Sequence, residues 1–267
     1  MSVSEFADRY GPWAVIAGAS EGIGASFSRR LAGRGFNLVL VARRPAPLEE
    51  LAAELRAQHG VEVRVQPLDL GASDVASALG EATRELDVGL LVYNAAYSPI
   101  GRFLDTDVED HLKAVDVNVR GPLRLSHHFG RRFVARGKGG IILMSSMSGF
   151  QGTAMVANYA ATKAYDTIFA EGLWYELREN GVDVLACVAG ATLTPSYESS
   201  TDRLPTSWLA RPMDPDPVTE QALDDLGQHA QAVSGRRNRF ASVLLRRLLP
   251  RKAAVGMVRK ETERMYR

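Results

Sequence analysis

Short β-branched runs alternate with longer amphipathic stretches along most of the chain, and no other feature limits its fold so tightly. The runs occupy residues 14–17, 38–42, 61–65, 88–93, 140–145 and 182–188. Between them apolar residues recur at helical spacing, as at Leu48, Leu51, Ala52 and Leu55 within 47–59. Such alternation with short connections predicts an α/β architecture, a parallel doubly wound sheet covered by helices on both faces. With 267 residues there is ample chain for one buried core. The rhythm breaks at 194–217, where Pro195, Pro205, Pro212, Pro215 and Pro217 exclude helix interiors and central strands. That segment reads as a long irregular insertion serving as a substrate lid. A helix is expected over 218–228, then a weak apolar stretch at 230–233.

The formal charge of +1 hides an uneven distribution. Residues 236–267 hold eleven Lys/Arg against Glu261 and Glu263, a net of +9, and the first 235 residues hold 21 basic against 29 acidic side chains, a net of −8. The boundary divides the chain into a catalytic domain over 1–235 and a basic, helical C-terminal extension over 236–267. In the extension Phe240, Val243, Leu244 and Leu248 recur at helical spacing, with Arg239, Arg246 and Arg247 interleaved and Pro250 ending the pattern. A basic amphipathic helix can lie on an anionic membrane surface, cap the substrate pocket or clasp an acidic neighbouring subunit. Nucleic acid is not an expected partner, because aromatics rarely interleave with these basic residues.

Cys187 is the only cysteine, so no intrachain disulfide forms and nothing supports an oxidising compartment. Residues 1–10 contain Glu5 and Asp8 and lack the apolar core of a signal peptide. No apolar run approaches the ~18 residues of a membrane span. A cytoplasmic protein is expected. His127 and His128 have no further ligand at metal spacing, so a surface or packing role is preferred and no metal is expected.

Val15-Ile16-Ala17-Gly18-Ala19-Ser20-Glu21-Gly22-Ile23-Gly24 carries the first strand into the first helix of the alternating pattern. Glycines here let the backbone turn tightly and approach a pyrophosphate, which the helix N-terminus stabilises. The context is that of a Rossmann-type dinucleotide site, with Gly18, Ser20, Gly22, Ile23 and Gly24 as cofactor-binding candidates. The second strand ends Val41-Ala42-Arg43-Arg44, with no Asp or Glu between Phe36 and Leu48. An NAD site of this type uses a carboxylate there for the ribose 2′-hydroxyl, whereas guanidinium groups suit a 2′-phosphate. Arg43 and Arg44 therefore favour NADP(H) over NAD(H), although Glu21 beside the glycines argues the other way.

Tyr159 and Lys163 stand one helical turn apart. A phenol is a poor acid–base catalyst near neutral pH unless a fixed cation stabilises its phenolate, and Lys163 can do so. The same spacing also occurs in exposed helix pairs. Ser146 lies at the end of the fifth strand-like run, where open parallel sheets bind ligands. Asn118 falls within a helical stretch, where Asn is a poor helix former and often serves a buried hydrogen bond or a bend.

Over roughly residues 12–233 the sequence resembles the short-chain dehydrogenase/reductase family. AGASEGIG at 17–24 matches the family's TGxxxGIG with Ala17 for Thr, and Tyr93-Asn94-Ala95-Ala96 matches NNAG with Ala96 for Gly. Asn118, Ser146, Tyr159 and Lys163 match its catalytic tetrad in order and spacing. Ala189-Gly190-Ala191-Thr192-Leu193-Thr194 matches the later Pro-Gly…Thr element with Ala189 for Pro. The resemblance implies hydride transfer between a nicotinamide and a carbonyl or alcohol carbon, with Tyr159 as proton donor or acceptor. Ser146 would hydrogen-bond the substrate oxygen. Lys163 would lower the Tyr159 pKa and bind the nicotinamide ribose, and Asn118 would hold a water relaying protons to Lys163. Asn94 is retained from the NNAG motif, and Asp69, with Leu70 beside it, matches an adenine-contacting position. The Thr192 backbone and the Thr194 hydroxyl would meet the carboxamide.

Residues 11–18 and 37–43 look nearest to the steroid dehydrogenase and 3-oxoacyl thioester reductase branch. Tyr97, Met147, Phe150, Met155, Tyr197 and Trp208 are candidates for an apolar pocket, which favours a lipophilic ketone or secondary alcohol. The same side chains could instead pack the lid onto the core. The helical stretches 108–119 and 159–179 resemble those through which family members form dimers and tetramers, so a homodimer or homotetramer is expected. A different class would be a non-catalytic dinucleotide-binding sensor or scaffold that keeps the fold, which would have no need of all four tetrad residues.

Overall fold

The computed structural model describes residues 2–201, 203 and 211–266. Its sheet has seven parallel strands in the order β3-β2-β1-β4-β5-β6-β7. They are β1 Trp13–Ala17, β2 Asn37–Ala42, β3 Val63–Pro67, β4 Val88–Tyr93, β5 Gly139–Ser146, β6 Val182–Ala189 and β7 Gln231–Val233. The helices in chain order are α1 Val3–Tyr10, α2 Gly22–Gly33, α3 Pro45–His59, α4 Val75–Ala82, α5 Val108–Val115, α6 Gly121–Arg136, α7 Ala157–Leu177, α8 Pro195–Ser200, α9 Pro215–Asp225, α10 Arg236–Val243 and α11 Arg251–Met265.

The central strands β1, β2, β4 and β6 are buried on both faces, apart from Asn37 at the start of β2. That is why, beyond Asn37 in β2 and Asp183 in β6, they are apolar rather than alternating. Ile16 pairs with Leu40 on one side and Val92 on the other, in register. These three side chains point to the face covered by Phe27, Leu31, Leu48, Leu55, Val218 and Leu223 from α2, α3 and α9. One residue earlier or later, Val15, Val41 and Leu91 point the other way, against Leu79, Leu125, Phe129, Phe133 and Ala170 from α4, α6 and α7. β3 forms one edge and ends at Pro67, which donates nothing to a neighbour.

The strand order reverses between β1 and β4, whose connections leave on opposite faces. In such sheets a crevice opens outside the carboxyl ends of the strands. The expected architecture holds, and the differences are local. The weak apolar stretch near 230 is a seventh strand, which joins β6 through Cys187–Ala232 pairing. The insertion is shorter than its prolines imply, because Pro195 and Pro215 start α8 and α9. In a first helical turn the missing N–H has no partner to lose. The helix expected over 218–228 accordingly runs from Pro215 to Asp225. Pro250 ends one helix and caps the next, so the extension carries a second helix, α11. Among the described residues no helix is long and apolar enough to cross a membrane.

Candidate active site

The glycine turn sets the shape of the crevice. A Cβ on Gly24 would lie 1.9 Å from the carbonyl oxygen of Gly18, so α2 can start this close to β1 only with glycine there. Gly22 has φ +56, and a Cβ on it would meet the Thr194 side chain at 2.7 Å, which brings the chain after β6 onto the same turn. Glu21 caps α2 without a side-chain bond to its first turn, leaving those N–H groups to an anion. Asn94, at the end of β4, donates from Nδ2 to the Gly18 carbonyl at 2.8 Å and ties β4 to the turn. Asp69 accepts from the Gly71 N–H at 2.9 Å and shapes the end of β3 beside buried Leu70. Ser20 and Ile23 are half-buried in the turn. Arg44 pairs with Glu21 at 2.6 Å, whereas Arg43 makes no hydrogen bond or ion pair among the described residues. The narrow backbone cradle, the uncapped helix and the free guanidinium suit a dinucleotide with an additional phosphate.

The candidates for chemistry come from β5, the π-helical segment 116–120 and α7. Tyr159 is half-buried, and the Lys163 Nζ lies 5.8 Å from its ring centroid. Lys163 is buried and donates to the Met144 carbonyl at 2.7 Å, two residues before Ser146. Burial alone pulls the Lys163 pKa down, but Asp166 and Tyr159 outweigh it and hold the lysine above its usual value. The Ser145 hydroxyl donates to the Lys163 carbonyl at 2.6 Å, so β5 and α7 are pinned where both carry candidate catalytic groups. Ser146 Oγ accepts from the Ser148 N–H at 3.2 Å and the Ser148 hydroxyl at 3.0 Å.

Asn118 is fully buried in the π-helical turn between α5 and α6. The extra residue of such a turn is a frequent mark of functional sites. Its Oδ1 accepts from the Tyr97 N–H, and its Nδ2 donates to the Tyr97 carbonyl and to Thr162 Oγ1. The side chain therefore holds the loop after β4 against α7. Tyr93, which stands where the family has Asn, donates to the Val117 carbonyl at 2.5 Å and secures the same turn. Thr192 donates to the Gly190 carbonyl, and Thr194 caps α8 by accepting from the Tyr197 N–H at 3.1 Å.

On the substrate side, Tyr97 donates to Asp110 at 2.6 Å, which raises its pKa. Met147 and Phe150 occupy the single 3-10 turn after β5, and Met155 adopts a left-handed φ of +67 before α7. The Tyr197 hydroxyl is buried without a hydrogen-bond partner among the described residues. Trp208 lies outside the described residues.

The extension packs on the loops beside this site. Arg246 stacks 4.4 Å over the Phe150 ring and Arg251 donates to the Phe150 carbonyl at 2.5 Å. Thr201 donates to the Met265 carbonyl at 2.7 Å, and Arg203 to that of Arg264 at 3.1 Å. Burial raises the Tyr266 pKa, with Tyr197 and Tyr159 close enough to add to the effect. The described contacts of the tail within the chain are thus with the turn after β5 and with residues 201 and 203.

Two features were not singled out from the sequence. Asp166 is paired with Lys163, and their spacing of three on an otherwise uncharged buried helix face is a readable signal. The approach of Tyr266 to Tyr159 has no local signature, since more than a hundred residues separate them. Among the described residues no group of three His, Cys, Asp or Glu could hold a metal, and His128 packs edge-on against Phe129.

A parallel sheet with a glycine cradle at its switch point and a tyrosine–lysine pair across the crevice defines a dinucleotide-binding oxidoreductase architecture. The family model described as short chain dehydrogenase matches residues 12–204, and the chain belongs to that family. A 7beta-hydroxysteroid dehydrogenase of Clostridium sardiniense is 36% identical over 234 residues, covering 88% of this chain and 89% of that protein. A solved 7beta-hydroxysteroid dehydrogenase structure superimposes with a TM-score of 0.89 at 31% identity, covering 95% of this chain and 98% of that one. A short-chain dehydrogenase from Sphingobium yanoikuyae in complex with NADPH gives 0.74 at 31% identity, covering 84% and 87%. The enzymatic class, an oxidoreductase acting on CH–OH or C=O groups, follows from the family, and the non-catalytic scaffold is set aside.

Proposed function

We propose that the protein transfers a hydride between NADP(H) and a lipophilic ketone or secondary alcohol of the ketosteroid type. The observation that carries this is the buried, charged Lys163 beneath the ring of Tyr159 at the carboxyl edge of the sheet. The cofactor, when bound, supplies or accepts the hydride. Arg43 takes the 2′-phosphate, and the first turn of α2 takes the pyrophosphate. Lys163 binds the ribose and stabilises the phenolate, so Tyr159 gives its proton to the substrate oxygen in reduction and recovers it in oxidation. Ser146 donates to that oxygen as charge develops on it. Asn118 positions the loop after β4 and α7 around them. The steroid preference is supported by the near full-length likeness to 7beta-hydroxysteroid dehydrogenases, and the 3-oxoacyl thioesters remain the second substrate class to assay.

Exposed Val108, Leu112, Ile168 and Tyr175 on α5 and α7 support a homodimer or homotetramer through those helices. A cytoplasmic location accords with the lone buried thiol of Cys187. The test is turnover of a panel of ketosteroids and bulky ketones with NADPH and NADH. Tyr159→Phe is expected to lose about 10²–10⁴ in kcat while keeping NADPH affinity. Equal turnover by the variant removes Tyr159 as the proton donor, and tight NADPH binding without turnover of any carbonyl removes the proposed activity.

A further inference from the structure

Lys163 and Asp166 form an ion pair inside the protein. Their side chains are 3% and 4% exposed, and Nζ lies 2.9 Å from Oδ2. Nζ also donates to the Met144 carbonyl. An ammonium has three N–H donors, so two are committed to the interior and one remains for the Tyr159 side. The other oxygen of Asp166, Oδ1, is buried and has no hydrogen-bond partner among the described residues. A carboxylate is an expensive occupant of such a position unless its charge is used. The surrounding helix face, with Ala160, Thr167 and Ala170, does not otherwise call for a charge.

We propose that Asp166 is a positioning residue that keeps the Lys163 ammonium charged and aimed at the cofactor side of Tyr159. Burial drives a lysine toward its neutral form, often far enough to lose the proton in the working pH range. A neutral Lys163 would neither hold a ribose hydroxyl as a cation nor stabilise a phenolate. Asp166 opposes that loss by direct contact, and the Met144 carbonyl fixes the direction. The other titratable groups here are Tyr159 and Tyr165 on α7, Tyr93 on β4, Asp69 after β3, which acts on Tyr93, and Tyr266 of the tail, which acts on Tyr159. Burial raises the pKa of Tyr93, Tyr165 and Tyr266, and Asp166 is the carboxylate in direct contact with the ammonium. Asp166 acts in this way only if Lys163 binds the cofactor as proposed above.

The test is NADPH affinity of the full chain, measured by fluorescence titration from about pH 6.5 to about pH 9.5 without substrate, with thermal melts to show that each variant folds. For Asp166→Asn the loss relative to the wild type is expected to stay within about threefold at the low end and to exceed about tenfold at the high end. Asp166→Glu, which keeps the charge, should follow the wild-type pH profile. Added to Lys163→Met, Asp166→Asn should cost nothing further, because the group it serves is gone. A loss that does not change with pH, or one that adds fully to that of Lys163→Met, overturns the proposal, since a merely structural Asp166 behaves that way. A pH-dependent loss in Asp166→Glu overturns it even if the Asn variant does not fold. If Lys163→Met binds NADPH like the wild type, the ribose-binding role of Lys163 falls first, and that outcome is distinct from the others.

Discussion

Arg44 Nη2 lies 2.6 Å from Glu21 Oε2, so the residue two beyond β2 is bonded to the N-cap of α2. The pairing separates two arginines that the sequence presents as equivalent. Arg44 has its charge met by Glu21, and Arg43 has no such partner among the described residues. If NADP(H) binds as proposed, its 2′-phosphate is met mainly by Arg43. Arg43→Ala is expected to weaken NADPH binding by about 10- to 100-fold, the range of a lost charge-assisted hydrogen bond, and to leave NADH binding within about threefold. Arg44→Ala should cost NADPH affinity no more than about fivefold, as its exposed pair contributes little. Titration of the two variants with both cofactors decides it, and equal losses would show that the Glu21 pairing opens on binding.

The far end of the sheet offers a stability prediction that leaves the chemistry alone. Asp183, at the start of β6, accepts from the Tyr10 hydroxyl and the Arg9 Nε at 2.6 Å each, fastening α1 across the amino ends of the strands. Burial and the Asp183 contact raise the Tyr10 pKa, so the phenol is a neutral donor at all working pH values. Asp183→Asn should lower unfolding stability by about 2–4 kcal/mol, and Tyr10→Phe by about 1 kcal/mol. Urea denaturation measures both. The kcat of the folded variants should be unchanged, because the site lies at the opposite edge.

Cys187 gives a prediction with a definite sign. Burial in β6 pushes its thiol up to about 11. The folded protein therefore holds this proton more tightly than the unfolded chain, whose thiol titrates near the ordinary value of about 8.5. The corresponding stability is complete below the unfolded value and is lost as pH rises from there through the folded value, at up to about 1.4 kcal/mol per pH unit. Cys187→Ala should flatten that part of the stability–pH curve. At about pH 8 the native protein should resist thiol reagents until denaturant opens it. Rapid labelling of folded protein would contradict the burial.

The sheet was legible because its signals are local and repeated. The apolar runs of β1, β2, β4 and β6 could belong only to strands buried on both faces, and the glycine turn had to follow the first of them. β7 was faint because three residues paired on one side carry little pattern. Pro195 and Pro215 misled in a different way. Proline forbids a helix interior but favours a first turn, and sequence alone did not say which of the two each occupied. At the site, Asn118, Ser146, Tyr159 and Lys163 could be named in advance because the motifs are short. Their partners came from elsewhere in the chain. Asn118 spends its amide on Tyr97 and Thr162, and Asn94 reaches Gly18 across the switch point. Such bonds depend on which loops the topology brings together, and no spacing encodes them.

The basic extension is where these two kinds of information meet. Its composition left a membrane surface, a cap on the substrate site and a neighbouring subunit all open, while its contacts lie with Phe150, Thr201 and Arg203. If α10 and α11 serve as a cover, loosening them should change how bulky substrates are handled and leave small ones alone. Arg246→Ala with Arg251→Ala removes the stacking on Phe150 and the bond to its carbonyl, and Tyr266→Ala removes a buried phenol that Tyr159 influences. Each is expected to raise KM for a ketosteroid by roughly 5- to 50-fold, as about 1–2 kcal/mol of contact and ordering is lost, with kcat for a small ketone within about threefold. Phe240, Val243, Leu248 and Met257 remain exposed on the same extension, interleaved with arginine and lysine. Co-sedimentation with anionic vesicles at low and high salt therefore distinguishes the two roles. Salt-sensitive vesicle binding lost in Phe240→Ser with Leu248→Ser, together with unchanged KM in the Arg246, Arg251 and Tyr266 variants, would assign the extension to a membrane surface instead.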